Sequence, residues 1–120
     1  MLPLLRGSSA GRIVNLTSDL GSMTMASTDP ALPQLLAYNS SKAALNAITM
    51  TYANELRQKG ILVNAVSPGS VATDQNGHQG ILTADQGAKL PIRMATLPAD
   101  GPTGTAVTAD TNLTQHPLPW

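Results

Sequence analysis

Three features of this 120-residue chain predict an α/β fold built on a parallel sheet. Arg12–Thr17 and Ile61–Val66 are short β-branched runs that read as buried strands, the first preceded by Gly11 and the second by Gly60. Tyr38–Lys59 between them has helical spacing, with Leu45, Ile48, Thr49, Tyr52 and Leu56 on one stripe. Consecutive strand, helix and strand imply a right-handed crossover and parallel pairing.

The remaining elements follow from local signals. Asp19–Pro33 is rich in Ser, Thr, Gly, Met and Pro and reads as a loop. Lys59 suits the last turn of the long helix and Gly60 its stop. Ser67-Pro68-Gly69 closes the second strand, and Val71–Leu82 reads as a mobile loop with turn signals at Asn76-Gly77 and Gly80. Thr83-Ala-Asp-Gln86 has capping-box form and should open a helix reaching about Leu97, which Pro91 is expected to kink or split. Gly101–Gly104 turns into a short strand near Thr105–Thr108, and residues 109–120 read as an irregular tail. A single domain without repeats is expected.

Composition excludes several function classes. The formal net charge is +0 and charged residues make up only 12 %, so no basic field recruits nucleic acid. Cysteine is absent, which removes disulfides and thiolate metal sites, and neither His78 nor His116 has ligand-like neighbours in sequence. No metal site is expected, and both histidines read as surface-loop residues. Met1–Leu5 is apolar but too short for a signal-peptide core, and no run approaches the ~20 apolar residues of a membrane span. A soluble cytoplasmic protein with no membrane partner is the expectation.

The chemistry is concentrated at Tyr38-Asn-Ser-Ser-Lys42. Residues four apart on a helix are neighbours, and an ammonium beside a phenol favours the phenolate, which suits proton transfer near neutral pH. In open parallel sheets ligands bind beyond the carboxyl ends of the strands. Ser18 and Pro68-Gly69 follow such ends, and the helix running back between the strands starts at the same edge. Ser18, Tyr38, Lys42, Pro68 and Gly69 are therefore expected to share one cleft, with the Ser18 hydroxyl holding a carbonyl oxygen. Ser18 also suits a turn or cap, as does Thr73.

Three stretches carry a resemblance: Gly11–Ser22 (GRIVNLTSDLGS), Tyr38–Asn46 (YNSSKAALN) and Val63–Asp74 (VNAVSPGSVATD), with Gly101–Gly104 before the last strand. Together they resemble the carboxyl half of the short-chain dehydrogenase/reductase family. A Tyr-x-x-x-Lys spacing alone is unspecific; between a serine-ended strand and a Pro-Gly-ended strand it is specific. The resemblance implies the C-terminal part of a Rossmann-like doubly wound sheet, about three strands with flanking helices. It also implies hydride transfer between NAD or NADP and a carbonyl or secondary alcohol. Tyr38 would be the acid or base, and Ser18 would polarise the substrate oxygen. Tyr38 and Lys42 would contact the nicotinamide ribose. Pro68, Gly69 and Val71 would pack against the nicotinamide, and Thr73 would bind its carboxamide or the pyrophosphate.

The family's Gly-rich phosphate loop, its Asn-Asn-Ala-Gly segment and its catalytic asparagine have no counterpart in these residues. The region choosing NAD from NADP is missing with them. Residues 1–10 therefore read as the remnant of a preceding helix, Met1 as an internal methionine and 11–108 as the catalytic half. The polypeptide alone is expected to be inactive. The alternative is a non-catalytic truncated or split-gene product acting as an interaction module. The Leu45, Ile48, Tyr52, Leu56 stripe is expected in the core or in a homo-oligomer interface along helix 38–59.

Overall fold

The computed structural model describes all residues from Met1 to Trp120. Its elements are α1 (Leu2–Arg6), β1 (Arg12–Leu16), α2 (Met23–Thr28), α3 (Leu36–Leu56), β2 (Leu62–Ser67), α4 (Ala84–Ala95), β3 (Ala106–Ala109) and β4 (Gln115–Pro117). The sheet order is β1-β2-β3-β4. β1, β2 and β3 are parallel and β4 returns antiparallel on β3. The α/β class and parallel crossover thus stand, with one strand more than the sequence suggests. No helix is long and apolar enough to cross a membrane.

Side chains alternating along β2 build two layers. Ile61 and Val63 meet Ala53 and Leu56 of α3, while Val66 meets Leu90 and Met94 of α4 and Val107 of β3. Arg12 ties the second layer down, its Nε and Nη2 donating to the Leu97 carbonyl at 3.0 and 2.9 Å. Gly60 ends the α3 segment at φ +69°, where glycine carries no Cβ penalty. Thr83 and Gln86 form the expected capping box at the start of α4.

Several local expectations are corrected. β1 is half-buried rather than buried, because it is the sheet edge and only β2 flanks it; Leu16 at its end is 51 % exposed. The buried face of α3 is Asn46, Thr49, Ala53 and Leu56; Thr49 and Leu56 of the expected stripe are thus in the core, while Ile48 and Tyr52 lie outside it on the exposed side. Pro91 does not split α4, which is a single helix. The amide of Thr96 bonds the Ile92 and Arg93 carbonyls and closes the last turn. Val71–Leu82 is the expected loop, with the added features of a bridge between its two ends and the 3-10 turn Asp74–Asn76.

The tail is the largest correction. It contains β4, whose one proline, Pro117, is tolerated because the strand is short and lies at the opposite edge. Asp110 organises the hairpin. Its Oδ1 accepts from the amides of Asn112 and Thr114, each at 2.9 Å, and its Oδ2 lies 3.0 Å from Nε2 of His116 in β4. The His116 hydrogen bond first, then the Thr114 amide, holds the Asp110 carboxyl below its ordinary value. A depressed carboxyl stabilises above its unfolded pKa and loses that contribution as pH falls through the folded value. Acidification below about pH 4 is therefore expected to loosen the β3–β4 turn, read as earlier loss of the Thr114 amide signal than of β2 amides. Asp110→Asn should remove that difference; simultaneous loss in the unsubstituted chain would refute the assignment.

Candidate active site

The carboxyl end of β1 and the first turns of α3 are joined through Lys42. Its Nζ donates to the Leu16 carbonyl at 2.8 Å and stands 5.7 Å from the centroid of the Tyr38 ring. One charge thus touches both the end of the strand and the phenol-bearing helix turn. The 3-10 turn Asp19–Gly21 lies directly on α3: a Cβ at Gly21 would come 2.7 Å from Lys42 Cβ and 2.8 Å from its carbonyl carbon. Close backbone approach requires glycine here.

Ser18 precedes that turn, and its Oγ accepts from the Leu20 amide at 3.2 Å. The capping role anticipated for Ser18 is real, yet it uses the oxygen as an acceptor. A hydroxyl retains one proton to donate, so the cap leaves Ser18 able to hold a carbonyl oxygen.

β2 contributes the opposite side. Leu16 is in register with Val66, and the Thr17 amide continues the ladder to the Val66 carbonyl at 2.8 Å. Ser18 and Pro68 each follow that last pair by two residues, so both stand just past the carboxyl ends of their strands. Gly69 follows with φ +81°, a conformation that also explains glycine at this position. The ideal Cβ position there lies 3.1 Å from Leu82 Cδ1. Ser18, Tyr38, Lys42, Pro68 and Gly69 thus all sit at the carboxyl edge of the sheet.

Val71 and Thr73 lie further along. The Val71 side chain packs against Gly87, where any Cβ would collide with it, so Val71 offers the edge its backbone. Thr73 caps the Asp74–Asn76 turn: its amide donates to Asn76 Oδ1 at 3.1 Å, and Asn76 Nδ2 donates to the Val71 carbonyl at 2.9 Å.

Sequence reasoning missed the polar layer beneath the site. Thr17 Oγ1 donates to Asn46 Oδ1 at 2.6 Å and Asn46 Nδ2 donates to the Gly21 carbonyl at 3.0 Å. One turn on, Asn15 Nδ2 donates to Thr49 Oγ1 at 2.9 Å. Thr17, Asn46 and Thr49 are all buried. Their signal was present: positions 42, 46 and 49 are polar on the same helix face as Ala53 and Leu56, where apolar residues are expected. His78 and His116, by contrast, each pair with a single carboxylate, Asp74 and Asp110, on the surface.

Two cavities flank the edge. One of about 130 Å³ lies between Pro68, α4 and the β3–β4 hairpin, with Lys89, Arg93 and Gln115 in its wall. Another of about 230 Å³ lies between α2 and the first turns of α3, lined by Leu20, Met23, Ala26, Leu36 and Asn39 among others.

Residues 1–80 match the family described as short chain dehydrogenase. The chain belongs to that family. Short-chain dehydrogenase/reductase 1 of Saponaria officinalis is 34 % identical over 87 % of this chain and 46 % of its own length. Salutaridine reductase of Papaver bracteatum is likewise 34 % identical, over 87 % of this chain and 44 % of its own. Among solved structures, salutaridine reductase from Papaver somniferum superposes with a TM-score of 0.74 at 33 % identity, covering 88 % of this chain and 47 % of that one. The carbonyl reductase Sniffer of D. melanogaster gives 0.76 at 27 % identity, covering 99 % and 49 %. This short-chain dehydrogenase chain spans about half the length of the curated relatives it matches.

Proposed function

We propose that these residues form the carbonyl-handling side of an NAD(P)-dependent oxidoreductase interconverting a carbonyl compound and a secondary alcohol. The observation that carries this reading is the double placement of Lys42, on the Leu16 carbonyl and over the Tyr38 ring. With the ammonium held beside the ring, the Tyr38 hydroxyl gives a proton to a carbonyl oxygen in reduction and takes one in oxidation. Ser18 donates its free proton to the same oxygen and orients it.

The edge also fits the nicotinamide end of a dinucleotide. An ammonium has three donors; Leu16 takes one, and two remain for ribose hydroxyls beside Tyr38. Pro68, Gly69 and Val71 offer backbone at which a flat ring can approach closely, and Thr73 offers a hydroxyl beyond them. When bound, the nicotinamide supplies or accepts the hydride, while the protein fixes orientation and proton position. No Gly-rich phosphate loop stands among these residues to hold the other end.

Two measurements test the reading. Joined to the amino-terminal half of salutaridine reductase, the chain is expected to reduce a ketone with loss of NADH or NADPH absorbance. A folded, soluble chimera that consumes neither NADH nor NADPH with any ketone of a broad panel would sink the reading. The 120-residue chain alone is expected to show no saturable NADPH binding by fluorescence titration, because half a cofactor site forfeits the positioning that gives affinity. Saturation at micromolar NADPH would overturn that expectation.

A further inference from the structure

The smaller cavity, of about 130 Å³, lies on the face of the sheet away from Tyr38 and Lys42. α3 covers the Ile61 and Val63 side of β2, whereas α4 covers the Val66 side. Gln86, Lys89 and Arg93 reach the cavity from one stripe of α4, spaced three and four residues apart. Pro68 and Gln115 of β4 stand across from them, and no carboxylate lines the space.

Cations are scarce in this chain, which has seven Lys and Arg residues in 120. Five of them have evident work. Arg6 pairs with Glu55, Arg12 bonds the Leu97 carbonyl and Lys42 bonds the Leu16 carbonyl. Arg57 and Lys59 close the α3 segment, where cations suit the helix dipole. Lys89 and Arg93 form neither an ion pair nor a side-chain hydrogen bond within the chain. Arg93 also suits the last turn of α4, but Lys89 stands a turn earlier. Asp110 of the hairpin does not serve them, being taken up by His116 and the Asn112 and Thr114 amides. The two amide side chains in the wall have the same bias. Gln86 Oε1 accepts from the Thr83 amide at 2.8 Å, which leaves its Nε2 hydrogens to donate. Gln115 Oε1 is buried without a partner, so Nε2 is the end of that amide a ligand can meet. The side chains around the cavity thus offer donors and two positive charges, and no free acceptor.

We propose that this cavity binds a phosphate group, free or at the end of a small monoester, held between Lys89 and Arg93. Such a group carries a charge of about −1.5 to −2 near neutral pH, which two cations match and the single charge of a carboxylate does not. The Arg93 fork takes two of its oxygens, the Lys89 ammonium acts as a point charge, and the Gln86 and Gln115 amides donate to the rest. The site is independent of the oxidoreductase reading: it uses none of Ser18, Tyr38 and Lys42, and Pro68 is its one residue in common with the active edge.

Lys89 and Arg93 are exposed, so substituting them should leave the fold intact. The ¹⁵N-labelled chain is titrated with inorganic phosphate, with methyl phosphate and with acetate at matched ionic strength, which equalises screening. Phosphate is expected to move the Gln86 and Gln115 side-chain amide signals and the Arg93 Nε signal along a saturating curve. Acetate should bind at least about tenfold more weakly. Lys89→Ala and Arg93→Ala should each weaken phosphate by about tenfold, since each removes a charge-assisted contact, while β2 amide signals stay in place. Arg93→Lys, which keeps the charge without the fork, should fall between. Arg57→Ala removes an equal charge at the other edge of the sheet and should change nothing. Equal binding of methyl phosphate identifies a monoester terminus as the ligand, and binding of inorganic phosphate alone identifies the free ion. Shifts that grow linearly, that acetate reproduces at equal concentration, or that survive both alanine substitutions overturn the site.

Discussion

Tyr38→Phe is expected to lower kcat by about 10²–10⁴-fold, the usual range for removing a positioned acid or base. The measurement is made in an enzyme completed by an amino-terminal half. The substitution removes one hydroxyl and little else. The ring stays on α3, so Lys42 keeps both its bond to the Leu16 carbonyl and its place 5.7 Å from the ring centroid. NADPH affinity should therefore change little, since the ammonium donors and the Gly69 backbone are untouched. A loss confined to the transition state lowers kcat and kcat/KM together. A rise in KM with kcat preserved would mean that the phenol only binds, and a wild-type rate would remove Tyr38 from the chemistry altogether.

How this site can be read from the chain depends on which features are local. β1, β2 and α3 follow from β-branched runs and a glycine stop, and Gly60 takes the left-handed conformation that its position predicts. Once those three are parallel and sequential, topology alone brings Ser18, Tyr38, Lys42 and Pro68 to one edge. What escaped depends on partners distant in sequence. β4 is three residues long and includes Pro117, so no local propensity marks it; pairing with β3 across the Asp110 turn creates it. The buried face of α3 is only partly legible for a related reason. Thr49 and Leu56 of the apolar stripe are buried as expected, but Asn46 is buried with them while Ile48 and Tyr52 are not. These polar residues are tolerated there only because Gly21, Thr17 and Asn15 meet them.

That layer makes Asn46 the most consequential residue outside the proposed chemistry. It is 5 % exposed and uses both ends of its amide, accepting from Thr17 Oγ1 at 2.6 Å and donating to the Gly21 carbonyl at 3.0 Å. Asn46→Ala leaves a buried hydroxyl proton and a buried carbonyl without partners. At about 1–3 kcal/mol for each orphaned group, the expected loss is about 2–6 kcal/mol, read as a lower urea midpoint at constant m-value. Adding Thr17→Val removes one of the two orphans and should recover about 1 kcal/mol, since deleting both partners is milder than stranding one. The functional consequence follows from Gly21, whose turn lies on Lys42 and begins at Ser18. Freed from Asn46, the Asp19–Gly21 turn can lift from α3 and carry the Ser18 hydroxyl with it. The folded fraction of a completed Asn46→Ala enzyme should therefore lose turnover, while Asn46→Gln, which keeps both hydrogen-bonding functions, retains part of it. A stability change below about 0.5 kcal/mol, with turnover intact, would show that the turn is held by backbone packing against Lys42 alone.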